Sequence, residues 1–379
     1  MVVLIAAINI PTAQAVQYQI VYVPVTVIVN GKPVVIRRPV VRPVASPAPN
    51  IPPVIANLKP GQWLELPNTK IRSVLPAVQQ NGFADAIIIA WNGGTVDPIR
   101  NRLLVWGGGH NDYWGNEMYA LDLPTLSIKR IIEPSPDTFK SNCDSALPDG
   151  TPTARHTYDG LTFITHSDRF FATSGSKAPC GFGTTDAWTY DFVGKQWQRK
   201  IENGPMQTPF GTMAVYDAQT KLVYIKDNVG FFSYNIDTNT FKQLNTEDQF
   251  VDYHLSGAID SKRRKFVMLG DGVQLIDLNT YKMTRMTTSG TPGIATTKES
   301  PGVAYDPVAD RVVAWHGGSQ VWALNMDNGV WSQVANGPGP TSAAPYQGTF
   351  GRWAYIPNYH VYAMINDVDE NAWVFRLTP

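Results

Sequence analysis

Six short aromatic or apolar runs recur along this chain, most of them closing on Asp or Asn: 118–122, 188–191, 232–236, 274–277, 321–325 and 372–375. Ahead of each lies an apolar strand with a polar turn, at Asp97, Thr165 to Asp168, Asp217, Asp260, Asp306 and Pro357. The last four turns are spaced by 43, 46 and 51 residues. A period of about 40–50 residues holding four short strands is the signature of a β-propeller, in which no repeat buries its own faces and neighbours must close a ring. Six third strands predict six blades. The sixth unit lacks a fourth strand, because Pro379 follows its third strand closely. Gln62-Trp63-Leu64-Glu65-Leu66 has the form of the missing strand and stands before the first full unit. The reading is therefore an all-β, six-bladed propeller over 61–379, closed by its own N-terminal strand so that the last blade has no open edge.

The string Trp106-Gly107-Gly108-Gly109-His110, with Tyr119 to Asp122 further on, resembles a kelch motif: a glycine pair after the second strand and an aromatic before the third. His316-Gly317-Gly318 with Trp322 repeats it, Ser174-Gly175 with Trp188 does so more loosely, and blades three and six lack the pair. The resemblance is to the kelch-repeat, galactose-oxidase-like six-bladed propeller superfamily. It implies the fold and little about function, since that group includes copper radical oxidases, actin-binding proteins, ligase adaptors and carbohydrate-binding proteins.

What precedes the ring is different in kind. Residues 1–43 read as an apolar arm whose segment 16–43 is a β-hairpin, turning at Asn30-Gly31. Pro24, Pro33 and Pro39 each remove a ladder donor and fit edge strands. Residues 44–60 are rich in Pro, Ala and Ser and read as an extended linker. Residues 1–58 contain Lys32, Arg37, Arg38 and Arg42 and no acid, so the rest carries a net −4 within a neutral whole of 31 basic and 31 acidic residues. That balance gives no basic face for nucleic acid. Val2 to Ile10 followed by Ala13-Gln14-Ala15 has the outline of a secretory leader, but no Lys or Arg precedes it. No apolar run is long enough for a transmembrane helix.

In a propeller the loops between second and third strands share a face with the links between blades. That rule gathers His110, Asp112, Tyr113, Trp114, Arg155, His156, Tyr253, His254, His316, Arg352 and Trp353 on one face as a candidate ligand-binding surface. Aromatic platforms beside polar groups suit a sugar ring or an extended polar ligand. The structural alternative is that these residues cap loops and the channel. Cys143 and Cys180 flank one blade region, where they form either one disulfide or a pair of buried thiols. Tyr253-His254 is similar to the Tyr-His pair of the copper radical oxidases, and nothing else in the chain matches that site. Arginine-cluster and Asp-box signals of sialidases, a Gly-x-Ser-x-Gly elbow and a phosphate loop do not occur.

The sequence thus favours a binding or assembly protein over an enzyme. No catalytic residue, metal or cofactor is assigned. The leading expectation is a structural recognition protein that displays its propeller on a larger assembly through residues 16–43: a virus particle, where it would decorate the head or tail or bind a receptor, or an extracellular filament or cell surface. Expected partners are other chains of that assembly and a surface glycan or receptor, at an extracellular or virion location. The alternative is a secreted bacterial carbohydrate-binding protein or copper-radical-oxidase-like enzyme.

Overall fold

A computed structural model describes residues 18–29, 32–43, 50–78, 80–245, 250–290 and 300–379. They form two compact units, 1–50 and 51–379. In the first, Tyr18–Val29 pairs antiparallel with Lys32–Pro43 through twelve residues without a break. The Asn30-Gly31 turn, the leader-like segment and residues 44–49 lie outside the described residues.

The second unit is a six-bladed propeller. Each blade is a four-stranded antiparallel sheet. The first strands are Gly94–Asp97, Leu161–Ile164, Met213–Asp217, Ser256–Asp260, Gly302–Asp306 and Trp353–Ile356. They contact one another in a closed circuit and line an axial cavity of about 570 Å³. In blade six, Ala372–Phe375 pairs with Trp63–Leu66, so the ring is joined by strands from opposite ends of the unit. Trp63 is buried against Phe375 at 5.1 Å and Trp353 at 5.7 Å between ring centroids, and its indole N–H donates to the Ser319 carbonyl at 2.9 Å. The apolar cores lie between blades: Trp106, Phe170 and Trp197 fill one gap, and Trp315, Trp353 and Tyr362 another.

The recurring turns have a local cause. Asp97, Asp217 and Asp306 each accept two backbone N–H bonds from residues two and three further on, and Asp191, Asn235 and Asp277 do the same between third and fourth strands. These side chains supply the acceptors that a tight turn leaves missing. Six residues that close the first-to-second turns, Asn101, Asp168, Lys221, Arg264, Asp310 and His360, all adopt left-handed backbone.

One expectation changes. Pro53–Ala56 is a helical turn with proline at its first position, and Ile55 is fully buried with its carbonyl bonded by Arg376 at 2.9 Å. The stretch from Ile51 to Pro60 therefore belongs to the propeller unit rather than to a spacer, because Ile55 enters its core and Ile51 and Leu58 pack against it. Among the described residues no helix is long and apolar enough to cross a membrane.

Candidate functional site

A cavity of about 320 Å³ opens where the lead-ins to the first strands meet, lined by Trp91, His110, His156, Tyr158, Ser176, Phe210 and Tyr253. Its inner wall is set by backbone. Trp91, Tyr158 and Phe350 each stand three residues before the first strand of their blade in left-handed conformation, with φ of 50°, 48° and 49°. Aromatic residues seldom adopt that region, and a surrounding structure must hold them there. Here the Tyr158 amide donates to the Trp91 carbonyl at 2.7 Å, and Asn92 Oδ1 accepts from the amides of Thr157 and Gly108, both at 3.2 Å.

His156 is placed by a two-residue ladder in which Arg155–His156 pairs with Ser176–Lys177. The glycine run of blade one passes close to it. Gly108 donates to the Arg155 carbonyl at 3.0 Å, and a Cβ on Gly109, at φ 91°, would collide with the His156 amide. The buried imidazole takes Asp112 Oδ2 at 2.7 Å on Nε2. That bond is the main reason the Asp112 carboxyl titrates below the usual range. The His156 ring lies 5.2 Å from Trp91 and 6.0 Å from His110. The Trp91 indole N–H donates to His254 Nε2 at 3.3 Å, and the His254 ring lies 4.1 Å from Tyr253.

The loops above this floor are tied together. Cys143 and Cys180 form a disulfide, Ser141 donates to the Ala178 carbonyl at 2.9 Å, and Ser145 Oγ bonds Thr184 Oγ1 at 3.0 Å. Among the described residues no group of three or more His, Cys, Asp or Glu is arranged to hold a metal ion.

The structure thus brings together His110, Asp112, His156, Tyr253 and His254 from the predicted face and leaves the others apart. Arg155 is fully buried and donates to the Thr153 and Ser145 carbonyls, with its pKa lowered by burial to about 10. Arg352 is likewise buried. It donates to the carbonyls of Asn92, Ile365 and Gly348 at 2.8, 2.8 and 2.6 Å, and burial lowers its pKa to about 9. These two arginines are buried on backbone carbonyls and present no exposed charge to a ligand, which corrects their assignment to the binding face. Trp353 is core, stacked 4.8 Å from Tyr362, and Tyr113 is buried with its hydroxyl on Glu117 at 2.5 Å. Trp114 and His316 do not line the cavity.

Trp91, Tyr158, Ser176 and Phe210 escape the sequence reading, and so does Asp159. Buried on the axial cavity, Asp159 Oδ2 accepts from the Gly257 amide at 2.7 Å, and the Gly351 amide also bonds its carboxyl. One side chain of blade two thereby reaches blades four and six. Burial outweighs these two bonds and pushes its pKa up to about 7. The available signal was the parallel between Trp91-Asn92-Gly93 and Tyr158-Asp159-Gly160, an aromatic, an amide or acid, and a glycine before successive first strands.

No protein-family model matches this chain, and no curated protein matches it. Among solved structures it is similar to a protein of unknown function from Bacteroides thetaiotaomicron, at 13% identity over 82% of this chain and 74% of that one, with a TM-score of 0.52. It also matches YjhT, at 11% identity over 79% of this chain and 95% of that one, TM-score 0.49. TolB from Acinetobacter baumannii matches at 15% identity over 66% of this chain, TM-score 0.41, and the match spans about half of that protein, 54%. The likeness to the Bacteroides protein is one of fold alone and leaves function to the site.

Proposed function

We propose that this chain is a non-enzymatic recognition protein of the kelch-like type, whose propeller presents a ligand pocket at the mouth of its axis and whose N-terminal hairpin attaches it to a larger assembly at a virion or extracellular surface. The observation that carries the recognition half is the cavity lined by Trp91, His156, Tyr158, Phe210 and Tyr253. It is concave, largely aromatic and furnished with a few convergent polar groups, the usual make-up of a small-ligand site. A surface glycan or receptor is the partner this pocket suits. The attachment half is supported by the hairpin itself. A twelve-residue two-stranded ribbon is marginal in water unless something covers it, and the segment is basic and free of acids.

Sedimentation velocity on the full chain and on residues 51–379 tests the attachment. The full chain is expected to form larger species, and 51–379 to sediment as a monomer. Identical monomeric behaviour of both removes the assembly role.

A further inference from the structure

We infer that the mouth pocket takes an uncharged, hydroxyl-rich ring, a neutral pyranose being the chemical class that fits. This rests on the reading of that cavity as a ligand site. The first observation is Tyr158, which lines the cavity at only 6% exposure and whose hydroxyl has no hydrogen-bond partner among the described residues. Burial and the nearby Tyr253 raise its pKa, so the hydroxyl stays protonated and able to donate as well as accept. A hydroxyl that opens on the cavity with no protein partner is free to bond a ligand hydroxyl or a water. Ser176 Oγ, buried and already donating to the Gly181 carbonyl at 2.8 Å, retains acceptor capacity beside it.

The second observation is the walls. Phe210 at 38% exposure and Tyr253 at 44% present aromatic surface at the rim, with Trp91 below. The face of an aromatic ring carries negative charge density and attracts the C–H face of a sugar, while the ring edge and polar groups meet its hydroxyls. The third observation is charge. No Lys, Arg, Asp or Glu lines the cavity. Arg155, next to His156, is turned onto two carbonyls, and Arg352 onto three. The Asp112 carboxylate is engaged by His156. An acidic sugar would find no lysine or arginine, and a quaternary ammonium group could use the aromatic walls but neither the hydroxyls nor the imidazoles.

Saturation-transfer NMR and tryptophan fluorescence on the full chain separate these classes. The probes are methyl glycosides of glucose, galactose and mannose, N-acetylneuraminic acid, glucuronic acid, and choline. At least one neutral glycoside is expected to bind more tightly than every charged probe. Tyr158→Phe, which keeps the ring and its backbone demands, is expected to weaken that binding about tenfold, the loss of one buried hydrogen bond. Tyr253→Ala, at an exposed position, is expected to weaken it with the melting temperature unchanged. Preferential binding of a charged probe, lost in Tyr253→Ala, overturns the neutral class and leaves the pocket reading standing. Neutral binding indifferent to both substitutions places the sugar elsewhere and also overturns the inference. Failure of every probe on the unmodified protein overturns the inference and the pocket reading together.

Discussion

Asp159 shows how one side chain can position a ring and load it at the same time. Its carboxyl collects two amides from other blades, which fixes the first strands around the axis, but the charge is held in a buried place. With its pKa raised to about 7 against an ordinary 3.8, the folded protein keeps a proton that the unfolded chain releases. Folding stability from this residue is therefore full below about pH 4 and falls as pH rises toward 7, by the order of 4 kcal/mol. Carboxylates with depressed values, Asp310 beside Arg263 and Asp277 beside Lys265 among them, act in the opposite sense, losing stability as pH falls. The informative quantity is thus the difference between two proteins. Asp159→Asn keeps an oxygen for the Gly257 amide and has no charge to bury. Its melting temperature is expected to exceed that of the unmodified protein at about pH 8, the gap closing toward about pH 4. A gap independent of pH would show that Asp159 is not carrying this penalty.

At the level of strands and loops, the blades were legible in the sequence because each turn has its own chemistry. Asp97, Asp217 and Asp306 cap their turns through contacts within three residues, so a repeated Asp is a local signal. The third strands were found to within a residue for the same reason: Met118–Asp122, Val321–Asn325 and Ala372–Phe375 as read, and Ala187–Asp191 and Val273–Asp277 one residue earlier at their start. The site was legible only in part, since its geometry is made by distant pieces. His156 meets Asp112 from 44 residues away, and nothing in Phe210 or Tyr158 taken alone separates a pocket wall from a core aromatic. Arg155 and Arg352 misled because loop arginines serve buried carbonyls as well as ligands, and only burial tells the two apart. The disulfide is one of the links that join the loops beside the pocket, with the Ser141–Ala178 and Ser145–Thr184 bonds. Cys143 and Cys180 enclose a separation of 37 residues, for which chain entropy gives about 3–4 kcal/mol. Replacing both with Ser is expected to lower thermal stability by that order and to speed hydrogen exchange at His156 and Lys177, leaving the far blades unchanged. Exchange spread evenly over all blades would mean that the disulfide stabilises the ring as a whole rather than this rim.

For the molecule as a whole, the decisive junction is between strands from opposite ends of the propeller unit. Trp63–Leu66 supplies the outer strand of blade six, and Gly61 and Gln62 exchange backbone bonds with Arg376 at 2.7 and 3.2 Å. Without that segment blade six would expose a third strand's edge, and the rings of Trp353, Trp373 and Phe375 would lose the face that Trp63 covers. Deleting an aromatic from such a cluster costs about 3–5 kcal/mol by itself, a large share of the stability of an ordinary domain. Two truncations therefore separate what lies outside the ring from what closes it. A chain starting at Ile51 retains Ile55, its bond to Arg376 and the whole closing strand, and is expected to melt in one cooperative transition close to that of the full chain. A chain starting at Asn68 lacks the strand and is expected to melt far lower or to aggregate through the open edge. Trp63→Ala in the full chain should fall between them, down by several degrees, because the backbone pairing remains while the aromatic packing is lost. Equal melting of the two truncations would show that the ring holds without its closing strand, and the propeller would then owe its stability to contacts between neighbouring first strands instead.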